Sequence, residues 1–282
     1  MDGRGIVPGA AACDRTGRRG VDRLRRLLAL ALAACLSTAA AQAQTRDYEP
    51  QIGQGGKDVV WVPTPPELVE RMLDLARVVP DDLVMDLGSG DGRNIIAAAR
   101  RGARAIGVEY NPDMVALSRQ LADEAGVGAR ATFVEGDMFA ADISKATVMA
   151  LFLLPDNLEK LRDRFLALAP GSRLVLNTFA IPEWDPDEQA QLGDGCANWC
   201  TALLYLVPAR VAGTWTTPRG ELTLTQQYQI VLGTLDEPGG GSVRVTGRLR
   251  GTTLSLTVGT ETLTAEVAGD RLVGALTGTR RP

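Results

Sequence analysis

The chain of 282 residues contains no histidine. That absence removes Ser-His-Asp and Cys-His nucleophilic catalysis, the commonest metal ligand and the usual base of near-neutral pKa. Lysine is almost as scarce, with Lys57, Lys145 and Lys160 the only three among 30 basic residues. Seven arginines and three aspartates in residues 1–43 leave the remaining chain at −8 against −4 overall, an acidic body that argues against a nucleic-acid partner. No apolar run approaches the ~20 residues of a comfortable membrane span. Of the four cysteines, Cys13 and Cys35 fall in residues 1–43, which leaves Cys196 and Cys200. Two thiolates make a poor zinc site, and the Cys-x-x-x-Cys spacing leaves a disulfide and two buried thiols both open.

Residues 1–43 read as a secretory signal peptide. Arg23, Arg25 and Arg26 precede the apolar run Leu27–Leu36, and Ala41-Gln42-Ala43 supplies a small-residue cleavage site. Leu32-Ala33-Ala34-Cys35 also resembles a bacterial lipoprotein box, with Cys35 the lipidated residue. Both readings predict a periplasmic or secreted protein. Residues 44–58 are polar, glycine-bearing and without periodicity, and read as a linker.

The most informative run is Leu83-Val84-Met85-Asp86-Leu87-Gly88-Ser89-Gly90-Asp91-Gly92-Arg93, an apolar strand ending in an acid and three alternate glycines, followed by Ile95-Ile96-Ala97-Ala98-Ala99. A strand turning through glycines into a helix brings backbone N–H groups close to a nucleotide-type ligand. A dinucleotide site prefers Gly-x-Gly-x-x-Gly, but Arg93 stands at the third-glycine position. Two further apolar runs, Ala105–Val108 and Ala131–Val134, end in Glu109 and in Glu135-Gly136-Asp137-Met138. The first acid suits a ribose diol and the second an exocyclic adenine amine, a combination that favours S-adenosylmethionine over NAD.

Strands expected at 83–87, 104–109, 131–135, 147–154, 173–180 and 202–207 alternate with helices, which predicts a Rossmann-like, mostly parallel α/β sheet with ligand loops at its C-terminal edge. Thr64 is read as the cap of the first helix, with Glu67 closing a capping box; Asn111 opens a later helix and Asp156 caps another. From residue 212 the texture changes to short alternating runs separated by glycine and proline turns, which predicts a small antiparallel β-meander or barrel over 212–282.

Across residues 60–211 the chain resembles the class I, seven-strand S-adenosylmethionine-dependent methyltransferases. Within them it is most similar to the mitochondrial lysine methyltransferases acting on the ATP-synthase c subunit and the adenine nucleotide carrier. The likeness is carried by Trp61-Val62-Pro63-Thr64-Pro65, by Gly88-Ser89-Gly90-Asp91-Gly92-Arg93, by Glu109-Tyr110-Asn111-Pro112, and by Phe179-Ala180-Ile181-Pro182-Glu183-Trp184-Asp185-Pro186-Asp187. It implies a methyltransferase domain at 59–211, S-adenosylmethionine as cofactor and a protein lysine as acceptor. A small-molecule O- or N-methyltransferase and a non-catalytic cofactor-binding protein are the alternatives. The resemblance implies that Val62-Pro63-Thr64 folds over the cofactor and that Leu154, Pro155 and Trp184 line the acceptor channel. Methyl transfer needs no histidine, because the protein has chiefly to align donor carbon and nucleophile.

The candidate cofactor-binding residues are therefore Thr64, Asp86, Gly88, Ser89, Gly90, Gly92, Glu109, Asp137 and Met138. Structural alternatives stand beside these: a turn for the glycines, a turn-stabilising side-chain cap for Asp86, a solvated strand end for Glu109 and Asp137, core packing for Met138, Phe139 and Trp184, and a helix cap for Thr64.

Overall fold

The structure is a computed structural model that describes residues 48–193 and 196–281. The expected signal peptide, Cys35 included, lies outside the described residues. Helices α1 (Pro66–Leu75), α2 (Arg93–Arg100), α3 (Pro112–Glu124) and α4 (Pro155–Leu166) alternate with strands β1 (Leu83–Leu87), β2 (Arg104–Glu109), β3 (Ala131–Glu135), β4 (Val148–Leu151) and β5 (Arg173–Asn177). Two more strands, β6 (Glu188–Gln191) and β7 (Thr201–Leu206), complete a seven-stranded sheet of order β3-β2-β1-β4-β5-β7-β6. The first five strands are parallel and β7 runs antiparallel to β5, so the ends of β1 to β5 and the start of β7 share one edge.

Side chains alternate across the sheet because the strand period is two. Val84, Ala105, Val148, Val175 and Ala202 face one core with Leu68, Met72, Ile95 and Val115 of α1, α2 and α3. Met85, Leu87, Met149, Leu151, Leu174 and Tyr205 face the other, with Leu158, Leu161 and Phe165 of α4. Asp86, between Met85 and Leu87, shares the parity of Val84 and points to the α2 side.

Helix starts differ in part from expectation. Asn111 caps α3 as expected, its side chain accepting from the Asp113 N–H at 2.9 Å. At α1 the cap position is Pro65 and no side chain caps it, and at α4 it is Leu154. Thr64 and Asp156 therefore do not cap: a proline at the first helical position already removes one orphan donor there. Thr64 instead accepts at its Oγ1 from Asn177 Nδ2 at 3.2 Å.

The C-terminal region forms a closed antiparallel barrel of eight strands, β8 (Gly213–Thr217), β9 (Gly220–Gln227), β10 (Ile230–Glu237), β11 (Gly241–Arg250), β12 (Thr253–Val258), β13 (Glu261–Ala268), β14 (Arg271–Gly274) and β15 (Gly278–Arg280). Its interior is filled, with Trp215, Leu222, Val245, Leu254 and Leu256 in one buried cluster. Among the described residues no helix is long and apolar enough to cross a membrane.

Candidate active site

The C-terminal edge of the sheet encloses a cavity of about 180 Å³. Thr64, Asp86, Gly88, Ser89, Gly90 and Glu109 all line it. They come from the segment before α1, the end of β1, the glycine turn and the end of β2.

Asp86 is 3% exposed, and only one of its oxygens is engaged within the protein: Oδ2 accepts from Asn94 Nδ2 at 2.9 Å. Among the described residues, Asp86 Oδ1, Asn94 Oδ1 and Ser89 Oγ are buried without a hydrogen-bond partner. Burial holds the Asp86 carboxyl well above the usual carboxylate range; the Asn94 amide opposes that shift, and the charges of Glu109 and Asp91 add to it. Unpaired buried acceptors cost free energy, so this cluster is set for donors that the protein does not itself supply. Asn94, first in the apolar face of α2, is a site residue that glycine spacing does not reveal. Its signal is a buried polar residue directly ahead of Ile95 and Ile96.

Glu109 is held by the backbone on both sides. Its Oε2 accepts from the Gly90 N–H and its Oε1 from the Asn111 N–H, both at 2.9 Å. A carboxylate has about four lone-pair positions, so each oxygen keeps capacity for a hydroxyl donor.

The three alternate glycines serve different ends. At Gly92, with φ +80°, a Cβ would stand 2.5 Å from the Phe133 ring, so this glycine seats the start of α2 on the core and does not line the cavity. At Gly88, with φ +73°, the nearest side-chain atom to a Cβ is Leu153 Cδ2 at 3.6 Å, and the glycine leaves the cavity wall open.

Asp137 and Met138 lie in an adjoining smaller compartment, bounded with the main cavity by Gly56, Val59, Gly88 and Glu109. There Asp137 Oδ2 accepts from Lys57 Nζ at 2.9 Å, and its Oδ1 accepts from the Phe139 N–H at 2.8 Å. Lys57 also lies over the rings of Tyr110 and Phe139, 5.6 and 6.0 Å from their centroids. The hydrogen bonds to Asp137 and then Asp58 push the Lys57 ammonium up to about 12, and Lys57 holds Asp137 below its ordinary value.

The segment read as a linker is part of the site. Gly53 donates to the Trp61 carbonyl, Trp61 N–H to the Gln54 carbonyl, and Gly56 N–H to the Val59 carbonyl, folding residues 53–61 into a tight loop. Gln54, Gly55, Val60 and Trp61 line the cavity, and the Gln54 amide donates to Tyr48 Oη at 2.7 Å. This segment covers the cavity, held by long-range contacts that local periodicity does not encode.

On the β4, β5 and β7 side the wall is aromatic. Phe152, Phe179 and Trp199 line the cavity, with ring centroids 6.0 Å apart for Phe152 and Phe179 and 5.4 Å from each of these to Trp199. Leu154 lines the same side and is 44% exposed at the rim. Pro155 does not line the cavity; it is the first residue of α4. Trp184 does not line it either: it is buried, face to face with Tyr228 at 5.7 Å and edge-on to Tyr205 at 5.3 Å. The residue is 1% exposed and so offers no face to a substrate. Cys196 and Cys200 are joined in a disulfide, Cα atoms 5.9 Å apart, which decides between the two states the spacing left open.

A family model described as the ANTKMT methyltransferase domain matches residues 86–188. A protein-lysine N-methyltransferase of Saccharolobus islandicus (strain REY15A) is 42% identical over 152 residues, 53% of this chain and 94% of that protein. The adenine nucleotide translocase lysine N-methyltransferase of Mus musculus is 39% identical over 129 residues, 45% of this chain and 55% of that one. Among solved structures, an RNA methyltransferase from Salinibacter ruber in complex with S-adenosyl-L-homocysteine is 45% identical, with a TM-score of 0.50; the match covers 53% of this chain and 96% of that one.

Proposed function

From the fact that the chain belongs to the ANTKMT methyltransferase family, we propose that it transfers a methyl group to a lysine amine of a protein outside the cytoplasm. It is an S-adenosylmethionine-dependent methyltransferase. The residues present fit that cofactor on their own chemistry. Asp86 Oδ1 and Asn94 Oδ1 are buried acceptors without partners, suited to an ammonium, and Glu109 retains lone pairs for a diol. Asp137 would take an exocyclic amine once Lys57 withdraws.

When bound, the cofactor supplies a sulfonium-activated methyl group. What the chain supplies is alignment and a dry wall. Asp86, Asn94 and Glu109 supply the polar lining of the cavity, and Val60 and Trp61 line it from the segment before α1. The cavity residues contributed by the β4, β5 and β7 ends, Phe152, Leu153, Leu154, Phe179 and Trp199, carry no charge. An apolar wall without a carboxylate disfavours the ammonium form of an amine, so it favours the neutral nucleophile without a histidine base.

The observation that carries the amine reading is this uncharged aromatic side of the cavity, joined to 42% identity with a protein-lysine N-methyltransferase. Support for export is the basic, apolar and small-residue order of residues 1–43, together with a disulfide, which persists in oxidising compartments. The Salinibacter relative is named for RNA, whereas the body of this chain carries −8 without its first 43 residues. Labelled S-adenosylmethionine offered with separate protein, RNA and metabolite fractions tests the acceptor. Label on protein lysine is expected; label confined to RNA or to metabolites overturns the reading. Export is checked by fractionating cells and sequencing the N-terminus of the mature protein, with a start at residue 44 expected.

A further inference from the structure

Trp199 stands out among the cavity residues for how it is held. It lies between Cys196 and Cys200, which are bonded to each other, and its backbone takes a φ of +58°, a left-handed conformation that a bulky residue seldom adopts. The Cys196 Sγ also lies 3.5 Å from the Asn198 carbonyl. The closed five-residue span leads directly into β7, whose first residue, Thr201, accepts at its carbonyl from the Thr178 N–H at 2.8 Å. Thr178 is the neighbour of Phe179. The covalent staple and this backbone bond thus set Trp199 and Phe179 against one another, and Phe152 completes the trio from the end of β4.

We infer that the Cys196–Cys200 disulfide is a positioning element for acceptor recognition: it presents Trp199 as the third ring of an aromatic wall that receives the alkyl-amine end of the acceptor. The inference rests on the amine-acceptor reading above and adds the residues that select for it. Ring faces pack against methylenes and also hold a quaternary N-methyl group, which has no proton to lose, and three rings from three different strand ends surround such a chain end better than one. Glu109, Asp86 and the glycine turn lie on the β1 and β2 side, so the cofactor-binding residues are independent of the staple. Opening the disulfide frees Trp199 from its left-handed turn and removes one ring from the wall. The acceptor is affected and the cofactor is not.

The test uses the full chain saturated with S-adenosyl-L-homocysteine and, as probe, N-acetyl-trimethyllysine methylamide, which cannot itself be methylated. Binding is followed by NMR titration in the oxidised protein and after treatment with a dithiol. In that treatment the S–S bond takes up two electrons and two protons to give two thiols, and the dithiol closes to a cyclic disulfide. Expected are a roughly tenfold weaker probe affinity in the reduced protein, recovery on reoxidation, and S-adenosyl-L-homocysteine affinity unchanged within about twofold. Trp199→Ala should match the reduced protein in both redox states, and Trp199→Phe should restore most of the affinity. With a single-lysine peptide as acceptor, the same changes should raise KM by a larger factor than they lower kcat. Equal probe affinity before and after reduction overturns the inference. Redox-dependent probe binding with no methylation of any lysine peptide would overturn the lysine reading and leave the wall standing.

Discussion

Burial raises the Asp86 pKa, and the direction of that shift sets the sign of its pH effects. The folded protein holds this proton more tightly than the unfolded chain, so Asp86 subtracts stability as pH climbs from about 4 through its raised value. Asp86→Asn should therefore stabilise the cofactor-free protein at pH 7 by about 1 kcal/mol, with the difference vanishing near pH 4; thermal melts across that range measure it. The same substitution should weaken S-adenosyl-L-homocysteine binding at least tenfold by calorimetry, because a charged acceptor for an ammonium is lost. In the wild type, cofactor affinity should rise with pH, since the ionised carboxylate is the form that binds. Glu109 gives a contrasting case. Glu109→Gln turns one of its two acceptors into a donor facing the Gly90 or Asn111 N–H, and should cost about 10- to 100-fold in cofactor affinity.

Among the elements, the segment over residues 48–58, the described part of the expected linker, departs furthest from its sequence. Gly53, Gly55 and Gly56 and the absence of any period make it read as a connector. Its place is fixed by partners far along the chain: Lys57 on Asp137, Tyr48 near Asn111, and Asn157 Nδ2 donating to the Asp58 carbonyl at 3.2 Å. Lys57 occupies the carboxylate proposed above for the exocyclic amine, so on that proposal Lys57→Ala should tighten S-adenosyl-L-homocysteine binding by up to about fivefold at low salt, and by less in 1 M salt. Titrations at two ionic strengths check this. The strands that end in Asp86 and Glu109 were legible because an acid at the tip of an apolar run is a local signal. The strand β6 was not, since Glu188-Gln189-Ala190-Gln191 holds no β-branched residue and pairs only as a polar edge. The aromatic wall was equally hidden: Phe152, Phe179 and Trp199 are far apart in sequence, and only the strand order brings their positions to one edge. β15, three residues long and without an apolar alternation, carries no local signal of its own.

At the scale of the whole molecule, the barrel is bonded to the methyltransferase domain through residues 184–187, part of the last of the four stretches that carry the family likeness. Tyr228, in the turn between β9 and β10, stacks on Trp184; Gln229 Nε2 donates to the Asp185 carbonyl at 2.8 Å; and Arg248 pairs with Asp187 at 3.3 Å. The Ala209 N–H donates to the Gly251 carbonyl at 2.8 Å beside them. Trp184→Ala should cost about 3–5 kcal/mol by chemical denaturation, the usual result of emptying a buried aromatic site, while cofactor affinity in the folded protein stays near wild type. Tyr228→Ala should cost less, because Tyr228 is partly exposed, and should separate one thermal transition into two.

Closure of the barrel has a consequence for association. Every one of its eight strands has a neighbour on both sides, so the C-terminal region offers no row of free N–H and C=O groups on which a foreign strand could grow. Among the described residues, such rows remain in the seven-stranded sheet along β3 and β6 alone. A partner that engages the barrel must read loops and side chains, and one that joins by backbone pairing is confined to the two flanks of the catalytic sheet.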